Sequence, residues 1–211
     1  MRGRVNRRPE EDSPARKSSE QGTLLKSVIE RVPVEVRQEL EALHKAGAPS
    51  VELFRRLMAS LGPAIAQAFS VREDEVAILL VRDQGHMLGF AYPWGYYADK
   101  KNLFPVSAPS IAGEVVRTSK GRIDNNASQV QHLDIYERIG AKAKGAVKIQ
   151  KMISAPLLSR EGQPLGAIQV SRKAKSLPEA GPHFTPADLA NLAGLCTRLA
   201  PLIQKAIPLD Y

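Results

Sequence analysis

The sequence predicts an α+β fold built on an antiparallel sheet, and three features predict it. Residues 148–175 read as two long strands that fold back on each other through Arg160-Glu161-Gly162-Gln163. Residues 76–92 read as a second strand pair, and apolar residues recur at helical spacing over 51–69 and again over 186–207. Ile149, Met152, Ile153, Leu157 and Leu158 precede the first turn, and Leu165, Ile168 and Val170 follow it, a density suited to central strands. Gly162 supplies the positive φ that a tight reversal often needs.

Taken in order, residues 1–22 hold almost no large apolar side chain and are expected to form a disordered basic and polar tail. Residues 23–47 carry Leu24, Leu25, Val28, Ile29 and Val32, then Val34, Val36, Leu40 and Leu43, interrupted at Pro33, which predicts two short helices. Residues 48–207 form the main domain, and 208–211 a short C-terminal tail. Ser50 is placed to cap a helix with Phe54, Leu57, Met58, Leu61, Ile65 and Phe69 on one face, kinked or weakened at Gly62-Pro63. Strands over 76–82 and 87–92 follow, then an aromatic loop with Trp94, Tyr96 and Tyr97, and an edge strand near 103–106 limited by Pro105.

Ser110 introduces a short helix, Ile111 to Ser119, with Gly121 as its stop. Residues 122–126 look extended, and a helix is possible around 133–139 before a loop rich in Gly, Ala and Lys. Thr185, Pro186 and Asp188 form the start signal of a last helix, whose Leu189, Leu192, Leu195, Leu199 and Leu202 make a seam that Pro201 should kink or end.

Composition limits the function classes. A chain of 211 residues with 43% hydrophobic and 25% charged residues suits one full core with appendages. One cysteine, Cys196, excludes an intrachain disulfide and cysteine-rich zinc sites, and fits a reducing, cytoplasmic setting. No apolar run approaches the ~20 residues that span a bilayer, and no secretory signal opens the chain, so no membrane association is expected. The net charge of +8 is spread along the chain: the tail sets Arg2, Arg4, Arg7, Arg8, Arg16 and Lys17 against Glu10, Glu11, Asp12 and Glu20. That dispersion reads as a solvated surface rather than a nucleic-acid interface, and Glu35, Glu39 and Glu41 argue against a DNA-reading helix pair.

Several short motifs stand in one order: Ser110-Ile111-Ala112-Gly113-Glu114-Val115-Val116, Ile123-Asp124, Met152-Ile153-Ser154-Ala155-Pro156-Leu157, Gly166-Ala167-Ile168-Gln169-Val170, and Phe184-Thr185-Pro186-Ala187-Asp188-Leu189. In this arrangement the chain resembles the GAF domain family over about residues 50–207. The resemblance implies a central antiparallel sheet, with the N- and C-terminal helices packed on one face and a ligand pocket on the other. It implies a non-catalytic regulatory module that senses or binds a small molecule of unknown identity and passes the signal to a partner. The alternative is a scaffold protein whose pocket has closed. No cofactor is indicated.

With GAF geometry, Phe90, Tyr92, Ile111, Asp124, Tyr136 and Met152 would point toward the cavity. The aromatic loop could stack on a planar ligand, and Arg138, Lys142, Lys144, Lys148 and Lys151 could meet an anion. Some GAF domains bind cyclic nucleotides through a pattern that Lys173, Phe184 and Asp188 match, whereas Arg172 stands where Asn would be and Leu189 where Glu would be. The structural reading of the same residues pairs Lys173 with Asp188 and puts Phe184 in the core. Free methionine sulfoxide reductases share the family fold but need an activated thiol, and Cys196 sits on an apolar stretch. The leucine seam and the Phe54/Leu57/Leu61 face together suggest a homodimer through the first and last helices.

Overall fold

The computed structural model describes residues 27–46, 49–82, 85–97, 102–130, 147–208 and 211. The helix expected near 133–139 therefore lies outside the described residues. After a helical stretch over 27–30 come helices α1 (Val34–Ala46) and α2 (Val51–Ala68), then strands β1 (Val76–Arg82), β2 (Met87–Tyr92) and β3 (Phe104–Pro105). Helix α3 (Ile111–Thr118), strands β4 (Arg122–Asp124), β5 (Lys148–Leu158) and β6 (Pro164–Ala174), and helix α4 (Pro186–Ala206) complete the order.

The strands form one antiparallel sheet in the order β3-β2-β1-β6-β5-β4. Each hairpin joins sequence neighbours, and the two hairpins meet where β1 pairs with β6, Val76 opposite Val170 and Leu80 opposite Gly166. The turn between β5 and β6 closes as the sequence predicts: Gly162 has φ +79°, and Ser159 N–H donates to the Gln163 carbonyl at 2.8 Å.

Local chemistry sets the helix starts. Ser50 Oγ accepts from Leu53 N–H at 3.1 Å, and Ser110 Oγ accepts from Gly113 N–H at 2.9 Å. Thr185 and Asp188 close a reciprocal capping box, with Pro186 in the first helical turn. Helix α3 stops at Ser119, which adopts a left-handed φ of +54°, two residues before the glycine expected to stop it. Neither internal proline ends its helix: α2 continues past Pro63 and α4 past Pro201. Each proline removes one backbone donor, and the packing of the surrounding turns offsets that loss.

Strand alternation divides the core in two. Val76, Ile78, Leu80, Ile153, Ala155, Ile168 and Val170 face α2 and α4, with Phe54, Leu57, Leu61, Leu195 and Leu199 opposite them and α1 closing the outside through Val36 and Leu40. Ala77, Leu79, Leu88, Phe90, Phe104, Ala167 and Ile149 face the other way, under Ile111, Ala112, Val115 and Val116 of α3. Each large side chain buried in this way contributes about 1.5–3 kcal/mol. The apolar surplus expected to drive pairing of two copies is consumed here: Phe54, Leu57, Leu61, Leu192 and Leu199 are all 0% exposed within one chain. Among the described residues only Val34 and Val51 remain as exposed large hydrophobics.

Candidate functional site

The sheet face beneath α3 is apolar on one half and polar on the other, which makes it the candidate site. Under β1, β2 and β3 it is lined by Leu79, Leu88, Phe90 and Phe104. Toward β4, β5 and β6, positions two apart bring polar groups onto the same face: Arg122 and Asp124 on β4, Met152 and Ser154 on β5, and Gln169, Ser171 and Lys173 on β6. The register sets them side by side, Arg122 opposite Ser154, Asp124 opposite Met152, and Ser154 opposite Gln169.

These groups are buried and hydrogen-bonded. Gln169, 5% exposed, donates from Nε2 to Ser154 Oγ at 3.1 Å and to Met152 Sδ at 3.2 Å. Ser171 Oγ donates to the Glu75 carbonyl at 3.0 Å, and the Glu75 carboxylate accepts from Lys173 N–H. The Arg122 guanidinium grips Asp124 through Nε at 2.8 Å and Nη2 at 2.7 Å, and its Nη1 reaches Glu114 on α3. That fork ties the short helix to the edge strand, and the two carboxylates hold the arginine charged well above its ordinary pKa.

The six residues expected to face a cavity divide. Phe90, Ile111 and Met152 lie together on the α3 side, each 2–3% exposed. Asp124 lies on that side too, with its carboxylate engaged by Arg122. Tyr92 does not: it packs into the core on the α2 and α4 side. The cause is a β-bulge, because the register passes from Leu79 opposite Phe90 to Ile78 opposite Tyr92, skipping Ala91. The extra residue turns Tyr92 to the face that alternation assigns to Ala91. Tyr136 lies outside the described residues.

The aromatic loop straddles the sheet edge. Trp94 and Tyr97 stack with ring centroids 4.0 Å apart and both pack on Phe54 of α2, whereas Tyr96 meets Phe90 on the α3 side. Of the basic stretch, Lys148 is exposed and Lys151 is buried on the α4 side, its ammonium donating to the Gly181 carbonyl. Arg138, Lys142 and Lys144 lie outside the described residues. Phe184 fills the core, with the Arg172 guanidinium 4.8 Å from its ring centroid. The expected link between Lys173 and Asp188 is replaced by others, because alternation along β6 sends Lys173 to the opposite face from Phe184. Lys173 Nζ donates to the Asp74 carbonyl at 2.6 Å and pairs with its carboxylate at 3.5 Å, while Asp188 is committed to Thr185.

The sequence carried a signal for the polar strip that its apolar content obscured. Gln169, Ser171 and Lys173 recur at a period of two, the mark of a strand with one polar face. Among the described residues no group of three His, Cys, Asp or Glu side chains is placed to hold a metal ion. Cys196 is fully buried on α4, across the sheet from the strip, and burial pushes its thiol far above the usual range. No described helix is long and apolar enough to cross a membrane.

No protein-family model matches the sequence, and no curated protein matches it. Solved structures match the fold. The GAF domain of an Acinetobacter phosphoenolpyruvate-protein phosphotransferase superposes with a TM-score of 0.59 at 15% identity, covering 88% of this chain and 94% of its own. The corresponding GAF domain from Coxiella burnetii gives 0.54 at 14% identity, covering 86% and 95%. A free methionine-R-sulfoxide reductase from Neisseria meningitidis, solved with its substrate, gives 0.55 at 14% identity over 96% of both chains. At these identities the likeness is one of fold, and the fold is the GAF fold.

Proposed function

We propose that this GAF-fold chain is a non-catalytic regulatory module that binds a small molecule on the α3 side of its sheet and acts on a partner protein. The observation that carries the reading is the buried polar strip of Asp124, Ser154 and Gln169 beside the apolar wall of Phe90, Ile111 and Met152. A few fixed polar groups set against apolar lining are the usual composition of a small-molecule site. The GAF domains among the solved structures are in keeping with the same reading.

A reductase shares the fold, so catalysis by a thiol is the rival chemistry. It finds little support in this chain, because its one cysteine is buried, held protonated and on the wrong face of the sheet. A second reading, a scaffold with a closed pocket, is favoured by the close packing of Phe90 against Tyr96 and the burial of Ile111 and Met152. Dimerisation through the first and last helices is not part of the proposal, since their apolar sides are covered within the chain.

Native mass spectrometry of protein purified from its own host separates the readings. Retained mass that is lost in Gln169→Leu supports the sensor. An unliganded mass, no thermal shift with any member of a metabolite panel, and a crystal structure with the α3 side filled by side chains would overturn it in favour of the scaffold.

A further inference from the structure

On the opposite side of the sheet from the polar strip, α1, the second half of α4 and the turn between β5 and β6 enclose an open groove of about 660 Å³. Ile29 and Leu202, both half-buried, supply apolar floor, and the rim carries Arg37, Arg160, Arg198 and Lys205 against one carboxylate, Glu41. A second hollow of about 490 Å³ continues past Arg160 along the flank of α4 to the end of β5.

The charge in this groove is unbalanced, with four cations set against Glu41 alone in its lining. Four arginines outside the groove do have carboxylate partners, Arg55 with Glu52, Arg56 with Glu39, Arg72 with Asp74, and Arg122 with Asp124. Among the described residues none of the four rim cations makes an ion pair, and Arg37 Nε is buried without a hydrogen-bond acceptor. A buried donor left unmatched is unfavourable, and an incoming carboxylate relieves it. The two linked hollows are each as large as a whole small-molecule site, and both lie open along a helix, a shape that suits an extended or helical segment.

We propose that this groove docks an acidic segment of a partner protein, with a large apolar side chain seated on Ile29 and Leu202 and carboxylates meeting Arg37, Arg160, Arg198 and Lys205. Opposite charge brings the partner in and fixes its register, and the apolar anchor adds affinity. The inference goes beyond small-molecule binding and stands without it, because the two sites lie on opposite faces of the sheet.

The test is selection of a random short-peptide library on the full chain, followed by fluorescence polarisation with the enriched peptides. Arg160 and Arg198 are exposed, so the double variant Arg160→Glu/Arg198→Glu is expected to melt as the parent does. The expected result is enrichment of sequences that combine Asp or Glu with Leu or Phe, binding that weakens with salt, and a loss of at least about tenfold in the double variant. No enrichment, enrichment without an acidic bias, equal binding by the double variant, or equal binding by polyglutamate would each overturn the docking site. Gln169→Leu serves as the control, since it alters the α3 side alone and should leave peptide binding unchanged.

Discussion

Gly62, in the middle of α2, lies directly against the ring of Tyr92 at the end of β2: a β-carbon at position 62 would sit 2.2 Å from Cζ and 2.3 Å from Cε2. In an exposed helix, Gly→Ala gains about 1 kcal/mol from backbone propensity. Here the sign reverses, because the ring is 8% exposed and packed in the core. Gly62→Ala is expected to destabilise by about 1–3 kcal/mol, the usual range for overpacking. Chemical denaturation measures it, and Gly62→Ala/Tyr92→Val should recover much of the loss. A neutral single variant would show that the bulge does not hold Tyr92 where it is described.

That contact also marks where the sequence stopped being legible. Caps at Ser50, Ser110 and Thr185 and the turn at Gly162 are local signals, and the three helix starts and the turn stand where the sequence predicts them. The side of the sheet on which Tyr92 falls depends on a bulge at Ala91, which no local pattern announces. Lys173 and Asp188 are each placed correctly along the chain, yet strand alternation and a helix cap send them to different partners. The leucine seam and the Phe54/Leu57/Leu61 face together look like more apolar surface than one sheet face covers, whereas in the fold they share one core with the sheet and with α1. Of the residues expected to face a cavity, Phe90, Ile111, Asp124 and Met152 lie on the α3 side of the sheet, and the polar strip beside them is obscured in the sequence by its apolar neighbours.

Gly166 is the second close approach. It stands where β1 and β6 meet, and a β-carbon there would lie 2.0 Å from the Leu79 carbonyl oxygen and 2.9 Å from Leu80 Cα. Backbone cannot yield as a flexible side chain can, so Gly166→Ala must part the two central strands. A loss of about 3 kcal/mol or more is expected, beyond that of Gly62→Ala. Parallel urea melts of the two variants check the order, and the reverse order would contradict the register at Leu80.

The Arg122 fork makes a different prediction. Its guanidinium side chain is 29% exposed, but the Asp124 side chain it serves is 6% exposed. Arg122→Met removes the donors and strands a carboxylate in the protein, which is expected to destabilise by about 3 kcal/mol. Replacing both, Arg122→Met/Asp124→Leu, should be less harmful than the single change, because no unpaired charge then remains. A double-mutant cycle by thermal unfolding reads the coupling. An additive cycle would show that the fork is a surface pair of little consequence.

Tyr92 sets an alkaline limit. Burial, aided by the nearby charges of Glu73 and Asp74, raises its phenol from 10.0 to about 12. In the folded chain the neutral phenol is thus retained at a pH where the unfolded chain has lost its proton. The contribution to stability is therefore complete below pH 10 and is lost as the pH rises from 10 toward 12. Tyr92→Phe has no proton to lose, so its stability should fall less steeply across that window. Denaturant midpoints measured in steps between the two values, with ultraviolet titration of the phenolate, test the claim, and parallel curves for the variant and parent would refute it. Tyr211, whose phenol burial also raises, leaves a residual slope in both proteins, so the difference between the curves isolates Tyr92.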